Sequence, residues 1–319
     1  MIGTSVSGNL PRPQELIAKT RAYDRAKITE EELEAAYFEA TKKLIEGQAG
    51  LTHVTDGLLK WQDLLRPFTM GLGGVSLGPM SRWFNNNTFY NVPIIEGPIT
   101  YKGSVTERLG YRRLLPKKAT LKAVLPAPYT FASLADDRHY GDTTKLQTAY
   151  AEALNKEMIH LEKQGYGYIQ LSDPALVYVA TKPLKKELKA YSKVLEVATD
   201  GLMSKTCLQT FFGDAADILP EALAYPVSDL GFDIYETEPE TLKRLILKGG
   251  ISLGVVDARN STVEDVGEIT AAAREILKTL KPKDVYISTN CDADFLTWEN
   301  AEQKISLIVQ VAENLKRGD

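Results

Sequence analysis

Eight short apolar runs recur along this chain, separated by helical patterns, and that rhythm constrains the fold more than any single residue. The runs are MIGTSV (1–6), LTHVTD (51–56), LKAVLPAP (121–128), YGYIQLSD (166–173), KTCLQTFF (205–212), DLGFDIYE (229–236), GISLGVVD (250–257) and DVYISTN (284–290). Most are rich in Val, Ile, Leu or aromatics and end in Asp, Gly, Asn or Pro, as strands do. Between them lie amphipathic stretches. In TEEELEAAYFEATKKLI (29–45), Leu33, Ala36, Tyr37, Ala40 and Leu44 share one helical face. Thr29 with Glu32, Ser261 with Glu264 and Thr237 with Glu240 read as capping boxes that mark helix starts. Eight strands, nearly all followed by a helix, predict an α/β fold, a (β/α)8 TIM barrel over residues 1–319 as a single domain. A doubly wound open sheet is the alternative. It is weakened because no phosphate-binding glycine fingerprint opens a helix after the first strand.

Composition narrows the classes of function. A net charge of -4, with 25% charged and 44% hydrophobic residues, describes an ordinary globular chain and gives no global pull toward nucleic acid or an anionic membrane. No run approaches the ~18 apolar residues of a membrane helix, and the N-terminus lacks a signal-peptide pattern. Two cysteines, Cys207 and Cys291, make no disulfide framework. A reduced, cytoplasmic protein is expected.

One connection is out of proportion. Residues 57–120 follow the second strand and are rich in glycine, proline, asparagine and aromatics, which predicts a structured loop at the barrel face where active sites are built. Its segment GLGGVSLG (71–78) reads as a flexible turn or lid, since it lacks the Gly-Lys-Ser/Thr ending of a phosphate loop. Trp83, Phe84 and Tyr90 are either aromatic core under the loop or a stacking surface for a flat ring. The excursion ends in Arg108, Arg112, Arg113, Lys117 and Lys118, a basic cluster with two readings: a solvated face, or a site for a polyanionic substrate tail. His53, three residues before Asp56, is either a packed histidine or a base.

Several strings together resemble the cobalamin-independent methionine synthase family: RWFNNNTFYNVP within 80–93, LPAPYTF (125–131), YIQLSDPAL (168–176), LQTFFGD (208–214), SLGVVDARN (252–260) and YISTNCDADFL (286–296), in the family's order and spacing. The resemblance spans nearly the whole chain. Full-length members carry two related barrels, of which the C-terminal one holds zinc and homocysteine, and this chain is one barrel long.

The resemblance implies zinc ligands as an H-x-C pair after the fifth strand, a Glu after the sixth and a Cys after the eighth. Zinc lowers a thiol's pKa by binding its anion, and a catalytic site also needs an open position for the substrate sulfur. Here Phe211 and Gly213 occupy the H-x-C positions, and neither offers a lone pair. Glu236 and Cys291 fall at or near the other two and are degenerate metal candidates. Cys207 lies four residues before Phe211, about 13 Å down a strand at roughly 3.3 Å per residue, too far to substitute. Cys291 has three readings: a lone buried thiol, a ligand in a degenerate or shared metal site, or a nucleophile. Glu236 also suits a helix N-terminus.

The D-E-P motif of the catalytic half reads Ser172-Asp173-Pro174, and Asp257-Ala258-Arg259-Asn260 resembles the N-terminal half. The expected role is therefore the N-terminal-type, zinc-lacking barrel of a split enzyme. No tightly bound cofactor is expected on this chain, zinc is expected in a separate zinc-bearing partner barrel as a heterodimer, and a methyl-pterin or folate is the possible substrate. Candidate pterin- or substrate-binding residues are Asp56, Trp83, Asn85, Asn86, Asp173, Asp257, Arg259 and Asn260; anion-binding candidates are Arg112, Arg113, Lys117 and Lys118. The alternative is a stand-alone pterin- or corrinoid-dependent methyltransferase with an altered or absent metal site.

Overall fold

Each of the eight apolar runs is a strand, and the strands lie parallel in one sheet. A computed structural model describes residues 1–107 and 109–318. In chain order the strands are β1 (Ile2–Thr4), β2 (His53–Val54), β3 (Leu72–Arg82), β4 (Phe89–Tyr101), β5 (Thr120–Pro126), β6 (Asp136–Asp137), β7 (Tyr166–Ser172), β8 (Lys205–Gln209), β9 (Asp229–Asp233), β10 (Gly250–Val256) and β11 (Val285–Thr289). The eight-stranded sheet has the order β1-β11-β10-β9-β8-β7-β5-β2 and is a nearly closed (β/α)8 barrel. Its longer strands are buried along their length, β10 at all seven residues, as expected of a sheet covered on both faces.

The seam between β1 and β2 closes through two threonines rather than a backbone ladder. Thr4 N–H donates to Thr52 Oγ1 (2.7 Å) and Thr52 N–H donates to Thr4 Oγ1 (2.9 Å). Each side chain thus satisfies a strand-edge donor that would otherwise be orphaned.

The barrel interior is unusually polar for a fold whose core is ordinarily branched apolar side chains. Lys122 is buried and donates to the Val6 carbonyl (2.6 Å), and Gln170 donates to the Ser7 carbonyl, so both span the inside of the barrel. Burial pulls the Lys122 ammonium down to about 8.

The helices follow from the sequence in part. Helix Glu30–Gly47 begins in the expected Thr29–Glu32 capping box and buries Tyr37, Ala40, Thr41 and Leu44. The other two boxes do not form. Helix Val266–Leu280 is capped by Asp265, because the Glu264 carboxylate instead accepts the Asp257 N–H (2.7 Å) and pairs with Lys304. The Thr237 hydroxyl accepts the Ala215 N–H (3.1 Å), so the short turn Pro239–Leu242 starts without it.

The excursion after β2 is not a loop. After helix Arg66–Gly71, β3 and β4 form a long antiparallel ribbon, to which β6 adds in parallel. GLGGVSLG, read from sequence as a turn or lid, lies mostly within β3. Its glycines mark register shifts between Gly73 and Val75 and between Leu77 and Met80. Gly74 has φ +79, and a side chain there would run into the Pro98 carbonyl. The glycines therefore serve bulges that twist the ribbon rather than a flexible turn. Among the described residues no helix is long and apolar enough to cross a membrane.

Thr52→Val keeps the shape but removes the seam's acceptor. Urea unfolding is expected to show a loss of about 1–3 kcal/mol; an unchanged midpoint would mean the seam is held by packing alone.

Candidate active site at the barrel mouth

Four strand ends converge at the C-terminal face: those of β8, β9, β10 and β11. Asn290, which follows β11, organises three of them. Its Nδ2 donates to Asp233 Oδ1 (3.2 Å) and Asp257 Oδ1 (3.0 Å), and its Oδ1 accepts from the N–H groups of Ala258 (2.8 Å) and Cys291 (2.9 Å).

Arg259 lies among the same carboxylates. Its Nη1 is 2.5 Å from Glu236 Oε1, its Nη2 3.5 Å from Asp233 Oδ2, and its Nε 3.6 Å from Asp257 Oδ1. Burial raises Asp233 to about 6, against the pull of Arg259. Burial works against the arginine's charge, but Asp233 and the bond to Glu236 more than restore it, and its pKa rises. Arg259, Asp257 and Glu236 are thus brought together. Asn260 is not; it is exposed and turns back to accept the Thr262 N–H (3.0 Å).

Cys291 is fully buried, and its thiol is held well above its ordinary value, first by burial and then by Asp292 and Asp233. A neutral buried thiol is a poor nucleophile and a poor metal ligand. Phe211 is buried, and a side chain added at Gly213 would run into the Val177 carbonyl. No side chain at position 213 could supply a ligand without rebuilding the turn after β8, and the Phe211 ring offers none. Among the described residues no group of three or more His, Cys, Asp and Glu side chains is arranged to hold a metal ion. The residues present do not fit the zinc centre that the resemblance implies for the catalytic barrel.

Aromatic rings also gather at this face of the barrel. The tip of the β3–β4 ribbon brings Phe84 to 5.1 Å from Tyr178 and 5.9 Å from Phe212, and Phe212 lies 5.9 Å from Phe295. Phe84, Asn85 and Phe212 all have positive φ, a costly backbone for non-glycine residues that the packed rings hold in place. Trp83 is buried edge-on between Phe84 (4.9 Å) and Tyr90 (5.8 Å). Asn85 is exposed, and Asn86 donates to the Phe84 carbonyl (3.4 Å).

Beside the mouth opens a cleft of about 1230 Å³, between the segment after β1, the ribbon tip and the segment after β11. Trp83, Asn87 and Phe295 line it, with Asp292 and Asp294 among its acidic residues. Asp292 accepts the Asn9 N–H (3.2 Å), while Asp294 Oδ1 and Asn9 Oδ1 are buried without a protein partner.

The remaining sequence candidates lie elsewhere. Asp173 is enclosed by Thr130 N–H (2.9 Å), the Thr130 hydroxyl (2.6 Å) and the Tyr191 hydroxyl (2.5 Å), and burial lifts it to about 7. It ties helix Pro128–Leu134 to helix Lys185–Thr199 and has no free oxygen for substrate. Asp56 is buried in a separate 90 Å³ pocket with Arg112, Gly110 and Tyr166. Arg112 donates to the Gln164 carbonyl (2.8 Å), just ahead of β7, and Arg113 lies over the Phe38 ring (4.9 Å). Lys117 and Lys118 are exposed immediately before β5. The anion candidates therefore sit at the N-terminal end of the barrel strands, away from the mouth; Arg108 lies outside the described residues. His53 is sandwiched by Tyr168 (5.0 Å) and Tyr286 (4.8 Å), and burial lowers it to about 4, so it is a packed neutral histidine. Cys207, buried near the same tyrosines, has its thiol pushed up to about 12.

Asp233, Asn290, Asp292 and, of the ring cluster, Tyr178, Phe212 and Phe295 escaped the sequence reading. Their only signal was position: Asp233 falls inside a predicted strand near its end, and Asn290 directly precedes Cys291.

Residues 59–281 match the family model of the cobalamin-independent synthase N-terminal domain. The chain belongs to this family. Methionine synthase of Saccharolobus solfataricus is 26% identical over 328 residues, covering 99% of this chain and 97% of its own length. That of Pyrococcus horikoshii is 26% identical over 327 residues, covering 99% and 94%. Among solved structures, a B12-independent methionine synthase from Shewanella sp. W3-18-1 in complex with selenomethionine superposes with a TM-score of 0.83 at 22% identity, covering 99% of this chain and 98% of its own. A methyltransferase from Methanosarcina mazei superposes with a TM-score of 0.64 at 13% identity, covering 98% and 94%. The two structural likenesses concern the fold.

The acidic pair in the cleft yields a pH prediction. Burial, and for Asp292 the neighbouring Asp294 charge, raises both carboxyls above the ordinary range. The stability they contribute is complete below the ordinary carboxylate pKa near ~4 and is lost as pH rises through the raised folded-state values. Asp294→Asn is expected to melt higher than the wild type at about pH 8 and level with it near about pH 4; a uniform shift at both would contradict the linkage.

Proposed function

We propose that this chain is the metal-free barrel of a cobalamin-independent methionine synthase, working with a separate zinc-bearing barrel that methylates homocysteine from a methyl-pterin or folate donor. The observation that carries this reading is the pair Phe211 and Gly213, the first buried and the second sealed against Val177, where the family's catalytic barrel has its paired ligands. Methyl transfer to sulfur is an in-line displacement that needs a thiolate and an aligned donor. Among the described residues no cluster is arranged to hold a metal ion for the thiolate. The chain has a cleft for the donor, with Trp83 and Asn87 on its wall.

The ribbon supports an interaction role. β3 is the edge strand of its sheet, and Leu77, Met80 and Phe89 on the ribbon, with Met70 on the helix before it, expose large apolar side chains. The expected partner contact covers 57–100. Arg112, Arg113, Lys117 and Lys118 lie at the barrel's other end, so a polyanionic donor tail in the cleft would not reach them.

A second reading, a stand-alone methyltransferase, is favoured by one observation. The relatives named methionine synthase are themselves one barrel long and nearly coextensive with this chain.

Two measurements separate the readings. Homocysteine methylation is expected to be absent with the chain alone and to appear or rise when a co-expressed zinc-bearing barrel co-elutes with it. Turnover by the isolated chain would establish the second reading instead. Titration with a methyl-pterin is expected to quench tryptophan fluorescence, alone or with partner, and Trp83→Ala to weaken binding; undiminished affinity in that variant would remove the cleft as the donor site.

A further inference from the structure

We infer that Arg259 is the resident cation of the barrel mouth: its guanidinium neutralises Asp233, Glu236 and Asp257 where a metal-bearing barrel would place a divalent ion, and by holding those oxygens it excludes metal. The inference rests on the reading of this barrel as the metal-free one.

Three carboxylates from two adjacent strand ends, Asp233 and Glu236 at the end of β9 and Asp257 after β10, meet one side chain. Glu236 Oε1 is 2.5 Å from Nη1, Asp233 Oδ2 3.5 Å from Nη2 and Asp257 Oδ1 3.6 Å from Nε. Without a cation they would repel one another across a poorly hydrated site. Asp233 is the most exacting of the three. It is 1% exposed, and its Oδ2 takes no hydrogen bond, so the guanidinium is its counter-charge. The amide of Asn290 serves the opposite oxygen, Asp233 Oδ1, and Asp257 Oδ1.

Arginine suits this task where lysine would not. Its charge is permanent, and its flat fork presents donors in several directions at once, whereas an ammonium is a single point. A metal ion entering here would have to displace the fork from Glu236 and take the proton from Cys291, whose Sγ hydrogen-bonds the Asp292 carbonyl at 3.5 Å. Zinc folding and zinc catalysis tie a barrel to metal supply; a guanidinium in the same place frees it from that dependence.

Cobalt(II) titration of the full chain tests this, since a cobalt–thiolate absorption band reports Cys291 directly. The wild type is expected to show no such band. Arg259→Ala is expected to bind the ion at least about tenfold more tightly than the wild type and to gain the band, and Arg259→Ala combined with Cys291→Ser to lose it. An Arg259→Ala protein with wild-type affinity overturns the resident-cation inference but leaves the metal-free reading standing. Stoichiometric metal and a thiolate band in the wild type overturn both. If Arg259→Ala does not fold, the wild type decides: a melting temperature unchanged by a strong chelator supports the inference, and a fall of several degrees overturns it.

Discussion

The mouth of this barrel depends on the side-chain amide of Asn290. An asparagine amide has two N–H donors and two acceptor sites, and here all four are used: two donated to Asp233 and Asp257, two accepted from the backbone of Ala258 and Cys291. One side chain thereby fastens the ends of β9, β10 and β11 and orients two carboxylates toward the same point. A buried amide so satisfied costs nothing in unmade bonds, and losing it would orphan partners on three strands. The position of Arg259 follows, because the carboxylates it bridges are held from behind by Asn290.

The ribbon completes the mouth from outside the barrel. Bulges at its glycines turn β3 and β4 enough for the Trp83–Phe84 tip to fold back over the strand ends. Phe84, Tyr178, Phe212 and Phe295 then pack against one another at this face of the barrel. The substrate-sized space lies to the side of these rings, and the polar groups left without protein partners there, on Asn9 and Asp294, face a cleft rather than the barrel axis.

The barrel strands were legible because burial on both faces writes itself as continuous apolar runs, and all eight fall where those runs are. Their ends were less so: the run 205–212 stops as a strand at Gln209, where Phe212 turns to positive φ. The Thr29–Glu32 box was legible because capping is local. Ser261 with Glu264 failed because Glu264 is claimed by Asp257 and Lys304, the latter 40 residues away. GLGGVSLG misled because glycine marks bulges as readily as turns. Of the two readings of the basic run, the exposed Arg112, Arg113, Lys117 and Lys118 suit the solvated face, since the excursion's end lies next to the start of β5, at the opposite end of the strand from the mouth. Asn290 and Asp233 are 57 residues apart in sequence and meet only through strand order, so the contact that organises the site had no local signature.

The central claim is that a guanidinium, not a metal ion, balances the carboxylates at this mouth. Anomalous diffraction at the zinc edge, from crystals grown with excess zinc and no chelator, tests it most directly. The predicted result is no anomalous peak within bonding distance of Cys291 or Glu236, with the Arg259 fork resolved between Glu236 and Asp233. A zinc peak on Cys291 Sγ, with Arg259 swung away, would contradict the account.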